Sequence, residues 1–198
     1  MRHQPIKNKL FIENRERLAK LLAPKSLAVL NANDVLPTNA DGTLVMQPNA
    51  DLFFLSGIEQ EESVLVMFPD APEEKNREIL FLREPNDHLK IWEGHKHTKA
   101  EAKKISGIKN VQWLSAFPMM FRALMCEAEA AYLNSNEHKR AVVEVETRDA
   151  RFTRQCRRDF PLHDYRRLAP LLHQLRVVKT SLELELLKEA VDITGRGF

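Results

Sequence analysis

The sequence predicts an α/β layer fold. Short apolar runs alternate with stretches of helical periodicity, the pattern of strands and helices packed in layers. The runs are apolar throughout rather than at every second residue, so both faces of their sheet are covered. Two Thr-x-x-Glu capping boxes, Thr98 with Glu101 and Thr180 with Glu183, mark helix starts.

In chain order, residues 8–23 carry Leu10, Phe11, Leu18, Leu21 and Leu22 at helical spacing and meet Pro24, which forbids continuation. Residues 26–31 form a short apolar run, a strand, and Asn33, Asp34, Pro37, Asn39, Asp41 and Gly42 mark a loop after it. Residues 52–55 and 63–68, separated by an acidic turn, read as two strands in an antiparallel or wide hairpin-like pair. Residues 78–83 are the next strand. The box at Thr98 opens a short helix that Gly107 closes through a left-handed cap. Residues 108–114 read as a strand. Ser115 then caps a helix bearing Phe117, Met120, Phe121, Leu124 and Met125, and residues 130–134 follow as a strand. A helix from about residue 137 to 158 closes this layer, and a polar connector follows Pro161. The box at Thr180 opens a last helix with Leu184, Leu187, Ala190, Val191 and Thr194 on its apolar stripe. Since no later element is there to cover that stripe, the expectation is an excised domain of a longer polypeptide.

At 198 residues, 43% hydrophobic and 29% charged, the chain has the composition of a globular domain. Thirty Lys and Arg against 28 Asp and Glu leave a formal charge of +2, too little to drive the chain onto nucleic acid or an anionic membrane, and neither is expected as a partner. Cys126 and Cys156 are neither paired closely enough for zinc nor dense enough for a disulfide scaffold. With no apolar leader at the N-terminus, the expectation is a cytoplasmic protein.

The chemical motifs are mostly negative. Six glycines, none in a strand-to-helix turn, make no phosphate cradle, and the signatures of serine hydrolases, zincins and thiol redox enzymes are missing. Two constellations remain. In Trp92-Glu93-Gly94-His95-Lys96-His97, with His88 upstream, an extended backbone would put His95, His97 and Glu93 on one face for a metal. Lys90, Lys96 and Lys99 oppose a cation there, and a solvated loop without metal is expected. Arg148, Arg151, Arg154, Arg157 and Arg158 recur at helical spacing and could track phosphates, but the interleaved acids and the lack of aromatics favour a solvated face. Asp149 interrupts the apolar side formed by Val142, Val145, Phe152, Cys156 and Phe160.

Three stretches, in order, resemble the N-terminal domain of the creatinase and aminopeptidase P family. Residues 49–57, Asn-Ala-Asp-Leu-Phe-Phe-Leu-Ser-Gly, are similar to its Asn-x-Asp-aromatic-x-Tyr-Leu-Thr-Gly. Trp92-Glu93-Gly94 is similar to its Trp-x-Gly. Residues 175–180 with Glu183, Leu187 and Ala190 are similar to the Arg-x-x-Lys-Ser-x-x-Glu segment that joins the N-terminal domain to the catalytic one. The Asn14-Arg15 pair and Leu18 fit the family's first helix. The resemblance implies a mixed β-sheet with helices on both faces, ribonuclease-H-like, over residues 1–174. Residues 175–198 would be a linker and first helix leading into a pita-bread catalytic domain.

It also implies a proline-specific metalloaminopeptidase, a hydrolase that removes the residue ahead of a proline in second position. Two manganese ions, held by two Asp, one His and two Glu of the second domain, would supply the attacking hydroxide. This chain would contribute no catalytic residue, no metal ligand and no cofactor. It would shape the substrate cleft, through Trp92, and build contacts of a homo-oligomer. A prolidase or creatinase-like hydrolase, and a non-catalytic protein-binding module supported locally by residues 148–158, are the alternatives.

Overall fold

A computed structural model describes residues 5–86 and 93–198. Its described strands are β1 (Ser26–Asn31), β2 (Val64–Met67), β3 (Glu78–Leu82), β4 (Asn110–Trp113), β5 (Ala130–Leu133) and β6 (Asp164–Arg167). The α-helices are α1 (Asn8–Ala19), α2 (Ala50–Ser56), α3 (Lys99–Ser106), α4 (Phe117–Glu127), α5 (Arg148–Asp159), α6 (Ala169–Val177) and α7 (Ser181–Gly197).

The strands form one mixed sheet in the order β4-β3-β2-β1-β5-β6. β2 runs antiparallel to both β1 and β3, whereas the pairs β1/β5, β3/β4 and β5/β6 are parallel. Alternation splits each central strand between two cores. Ala28, Leu30, Leu65, Met67, Leu80 and Leu82 pack with Leu18 of α1, Leu52 and Leu55 of α2, Ala102 of α3 and Leu172 of α6. Leu27, Val29, Val64, Val66, Ile79 and Phe81 face the other way, onto Phe121 and Leu124 of α4 and Cys156 of α5. Helices cover both faces, as the continuous apolar runs require.

Arg15 sits inside the first layer at 1% exposure. Its Nη1 donates to Leu55 O at 2.7 Å and Ser106 O at 2.9 Å, the closing carbonyls of α2 and α3. Its Nε lies 3.0 Å from Glu78 Oε2, an ion pair off the hydrogen-bonding direction. Asn14 Nδ2 donates to Phe54 O at 2.9 Å. One Asn-Arg pair thus ties α1 to the ends of two other helices.

Several elements differ from the sequence expectation. Residues 52–55 are helical: Asn49 Oδ1 accepts from the amides of Asp51 and Leu52, and Gly57, at φ 69°, closes the C-terminus. A Cβ at Gly57 would come within 2.4 Å of the Phe11 ring. The strand pair expected there does not form; β2 pairs with β1 and β3 instead. α1 ends at Ala19, before Pro24 is reached. Ser115 lies in a tight turn, Leu114–Ala116, and α4 begins at Phe117 with proline in its first turn and no side-chain cap. Residues 137–147 are not helical; Thr147 caps α5 by accepting from Ala150 N, leaving Val142, Val143 and Val145 exposed. The connector after Pro161 contains β6, an edge strand whose charged residues are typical of strands that must not pair further. Tyr165 of β6 donates to Cys156 O and Phe160 O at 2.7 and 2.8 Å, pinning the end of α5.

Both capping boxes form as the sequence predicts, and Gly107 ends α3 at φ 74°. No helix among the described residues is long and apolar enough to cross a membrane.

Candidate functional site

β1 and β5 are parallel neighbours whose chains leave in opposite directions. After β1 the backbone travels to α2 on one face, and after β5 to α5 on the other. Such a divergence opens a crevice beyond the carboxyl ends of the two strands. Here it measures about 620 Å³.

Its floor is polar. Asp51, in the first turn of α2, accepts from Asn134 Nδ2 at 3.1 Å through Oδ2 and from Arg176 Nη1 at 2.7 Å through Oδ1. Arg176 lies in the last turn of α6, and its guanidinium also lies over the Phe54 ring, 5.5 Å from the centroid. Asn49, which caps α2, donates through Nδ2 to Asn33 Oδ1 at 3.1 Å. Asn134 Oδ1 is buried with no hydrogen-bond partner, so this floor has an acceptor to offer a donor from outside.

Asp149 of α5 forms the second polar centre. Asn31 Nδ2 donates to its Oδ1 at 2.8 Å. Burial pushes the carboxyl up to about 6, with the Asn31 hydrogen bond working in the opposite direction. Exposed Leu36, Leu44, Val45, Val143 and Val145 form an apolar rim. A polar floor with an apolar rim suits the docking of another polypeptide surface.

The basic series on α5 is occupied locally. Arg148 Nη2 donates to Glu62 O at 3.2 Å, Arg151 pairs with Asp34, Arg154 with Glu146 at 2.8 Å and Arg158 with Asp159 at 2.8 Å. The Arg157 guanidinium lies 5.1 Å from the Tyr165 centroid. This distribution matches a solvated face.

Trp92, His88 and Lys90 lie outside the described residues. Downstream of them, Glu93 does not join the histidines: its carboxylate takes Arg83 at 3.0 Å and Lys96 at 3.4 Å. Lys96 is buried and pairs with Glu61. Glu101, the carboxylate of the capping box, takes the place that the sequence offered to Glu93, with Oε1 3.1 Å from His95 Nε2. His97 donates its backbone N–H to Gln60 Oε1 at 2.7 Å, and burial lowers its imidazole pKa despite the nearby acids. Sequence reasoning missed Glu101 because its capping role accounted for it. The six-residue step from His95 to Glu101 was the signal that could have found it.

Residues 11–133 match the family described as aminopeptidase P, N-terminal domain. The Xaa-Pro aminopeptidase of Escherichia coli K12 is 23% identical over 189 residues, which cover 93% of this chain and 42% of that protein. A solved structure assigned to aminopeptidase P from Bacillus anthracis superposes with a TM-score of 0.85 at 28% identity, over 97% of this chain and 45% of the other. A zinc-substituted E. coli aminopeptidase P in complex with product follows the same fold, with a TM-score of 0.74 at 23% identity, over 96% and 43% of the two chains. The chain therefore spans a little over two fifths of the length of these proteins.

Proposed function

Because the chain belongs to the aminopeptidase P N-terminal domain family, we propose that it is the non-catalytic domain of a proline-specific metalloaminopeptidase. In this reading residues 1–174 build the domain and residues 175–198 carry the chain toward a second, catalytic domain. The observation that carries it is the 2.7 Å bond between Asp51 and Arg176. Those residues belong to the first and last of the resembling stretches, 125 positions apart, and the bond ties them together at the crevice where α6 hands over to α7. The exposed rim of the crevice and the exposed Leu184, Leu187 and Val191 of α7 are apolar surface that a second domain would cover.

Metal chemistry belongs to that second domain. Among the described residues, the potential ligands that come together are His95, His97 and Glu101. Two imidazoles and one carboxylate do not fit the two-Asp, one-His, two-Glu set of a dimanganese centre, so peptide hydrolysis does not run through this cluster. This chain's part is to bind and to shape, with Trp92 as the side chain expected to reach the substrate. Manganese, a cytoplasmic setting and homo-oligomer contacts belong to the same proposal.

The test is cleavage of Xaa-Pro-Xaa tripeptides in the presence of manganese, by the complete polypeptide and by residues 1–198 alone. Release of the first residue by the complete polypeptide only is the expected result. Hydrolysis by residues 1–198, or none by the complete polypeptide, refutes the reading. In the active form, Trp92→Ala should lower kcat/KM for longer peptides about five- to thirty-fold and leave dipeptides nearly unchanged, since an aromatic wall adds on the order of 1–2 kcal/mol of binding. An equal loss on all substrates would make Trp92 a structural anchor.

A further inference from the structure

The turn before α3 and the first turn of that helix bring His95, His97 and Glu101 together, with one ligand atom from each lying within 4.8 Å of the others. We propose that this group binds zinc, with three protein ligands and a fourth position open to water. Two imidazole nitrogens and a carboxylate oxygen are a donor set that a borderline divalent cation of tetrahedral preference accepts.

Glu101 and the backbone at His97 are held by something other than a metal. Glu101 Oε2 accepts from Thr98 N at 2.8 Å and Thr98 Oγ1 at 2.9 Å, so the capping box immobilises one carboxylate oxygen and turns the other, Oε1, toward His95. Hydrogen bonding that orients a ligand in this way is what well-formed metal sites share. The backbone at His97 is held by the buried Gln60, whose Nε2 donates to Arg83 O at 3.4 Å. His95 is exposed, and its contacts are with the other two ligands, Glu101 and the His97 ring. The closing movement it must make is small, since zinc ligands at roughly 2.0–2.2 Å from the metal stand a little over 3 Å apart. The rings of His95 and His97 are edge to face with centroids 6.0 Å apart. Contact between Nε2 and Oε1 accounts for His95 beside Glu101, but it leaves the convergence of His97 on the same place unexplained.

The charge objection raised by the sequence weakens in three dimensions. Lys96 is turned onto Glu61 and Glu93, and the Lys99 ammonium lies 4.7 Å from the centroid of the Trp113 ring. Neither ammonium is aimed at the cluster. Glu59 and Glu61 add negative potential at His97. A bound cation would fasten the turn to α3 across the capping box.

The experiment is zinc titration of the chelator-treated 198-residue chain by calorimetry, with a competing chelator to fix the affinity, and cobalt substitution read by visible absorption. One zinc per chain with micromolar or tighter affinity is expected. Binding should fall at least about tenfold in His95→Gln, in His97→Gln and in Glu101→Gln, and the cobalt spectrum should be lost with it. Glutamine at position 101 keeps the capping box, so that variant separates loss of a ligand from loss of the helix start. Absence of stoichiometric zinc binding below about 100 μM would overturn the proposal. So would binding that survives His95→Gln and His97→Gln together, which would place the ion on other histidines. Neither result bears on the peptidase reading, which assigns its metals elsewhere.

Discussion

Replacing Arg15 with methionine keeps an unbranched apolar stem but shortens the side chain and deletes its charge and donors, at a position 1% exposed. The change orphans two carbonyls, Leu55 O and Ser106 O, which Arg15 bonds at 2.7 and 2.9 Å. A buried acceptor without a partner costs about 1–3 kcal/mol, so the pair contributes about 2–6. Glu78 loses its partner as well, but at 34% side-chain exposure water can replace much of that contact. Against these losses, the guanidinium no longer has to be desolvated, which is the effect that lowers its pKa in the fold. The net expectation is a loss of about 3–4 kcal/mol, in line with removal of one partner from a buried charged network. For a chain of this size that is a fall in Tm of roughly 6–16 °C. The assay is equilibrium unfolding in guanidinium chloride followed by far-UV circular dichroism and by fluorescence, with the midpoint lowered and the slope unchanged. Arg15→Lys, which keeps the charge but shortens the side chain and loses the Nε that faces Glu78, should fall between. A methionine variant within 1 kcal/mol of the parent at unchanged slope would refute the reasoning, because water would then be satisfying both helix ends.

Two further expectations concern the crevice and the last helix. Asp149 has its pKa raised from 3.8 to about 6, so the stability linked to its proton is fully present below about pH 4 and is lost as pH rises through 6. Asp149→Asn keeps an acceptor for Asn31 and cannot ionise; it should match the parent at pH 4 and exceed it at pH 7 by about 1–2 kcal/mol. That figure allows for partial hydration and a small loss at the helix N-terminus. Thermal melts at the two pH values check this, and a variant less stable than the parent at pH 7 would count against it. Residues 181–198, with no buried side chain, should exchange amide hydrogens far faster than β2, and comparable protection in the 198-residue chain would contradict the exposure of this last helix.

What the sequence by itself determined is short in range. The runs that became β1, β2, β3 and β5, the boxes at Thr98 and Thr180, and the stop at Gly107 depend on residues within one or two turns of one another. Asn14, Arg15, Asp51 and Arg176 were visible as motif residues, but motif and contact are different matters. Only the tertiary structure joined Asp51 to both Asn134 and Arg176, because that meeting needs β1 beside β5 and the last turn of α6 brought to the start of α2.

The errors have the same origin. Leu52-Phe53-Phe54-Leu55 is a continuous apolar run in either conformation, and the capping bonds of Asn49 with the left-handed Gly57 settled it as a helix. β6 has one inward aromatic among charged residues, so its own four residues carry almost no period; its place comes from the free edge of β5. Residues 137–147 have spacing compatible with a helix but do not form one, and Val143 and Val145 stand exposed around the crevice. At the histidine turn the sequence paired His95 and His97 with Glu93 by strand alternation, whereas Glu93 is taken by Arg83 and the carboxylate that arrives is Glu101, carried in by a helix. Periodicity reports which way a side chain points within its own element; which distant group meets it there depends on the path of the backbone between elements, a long-range property that no short window of residues contains.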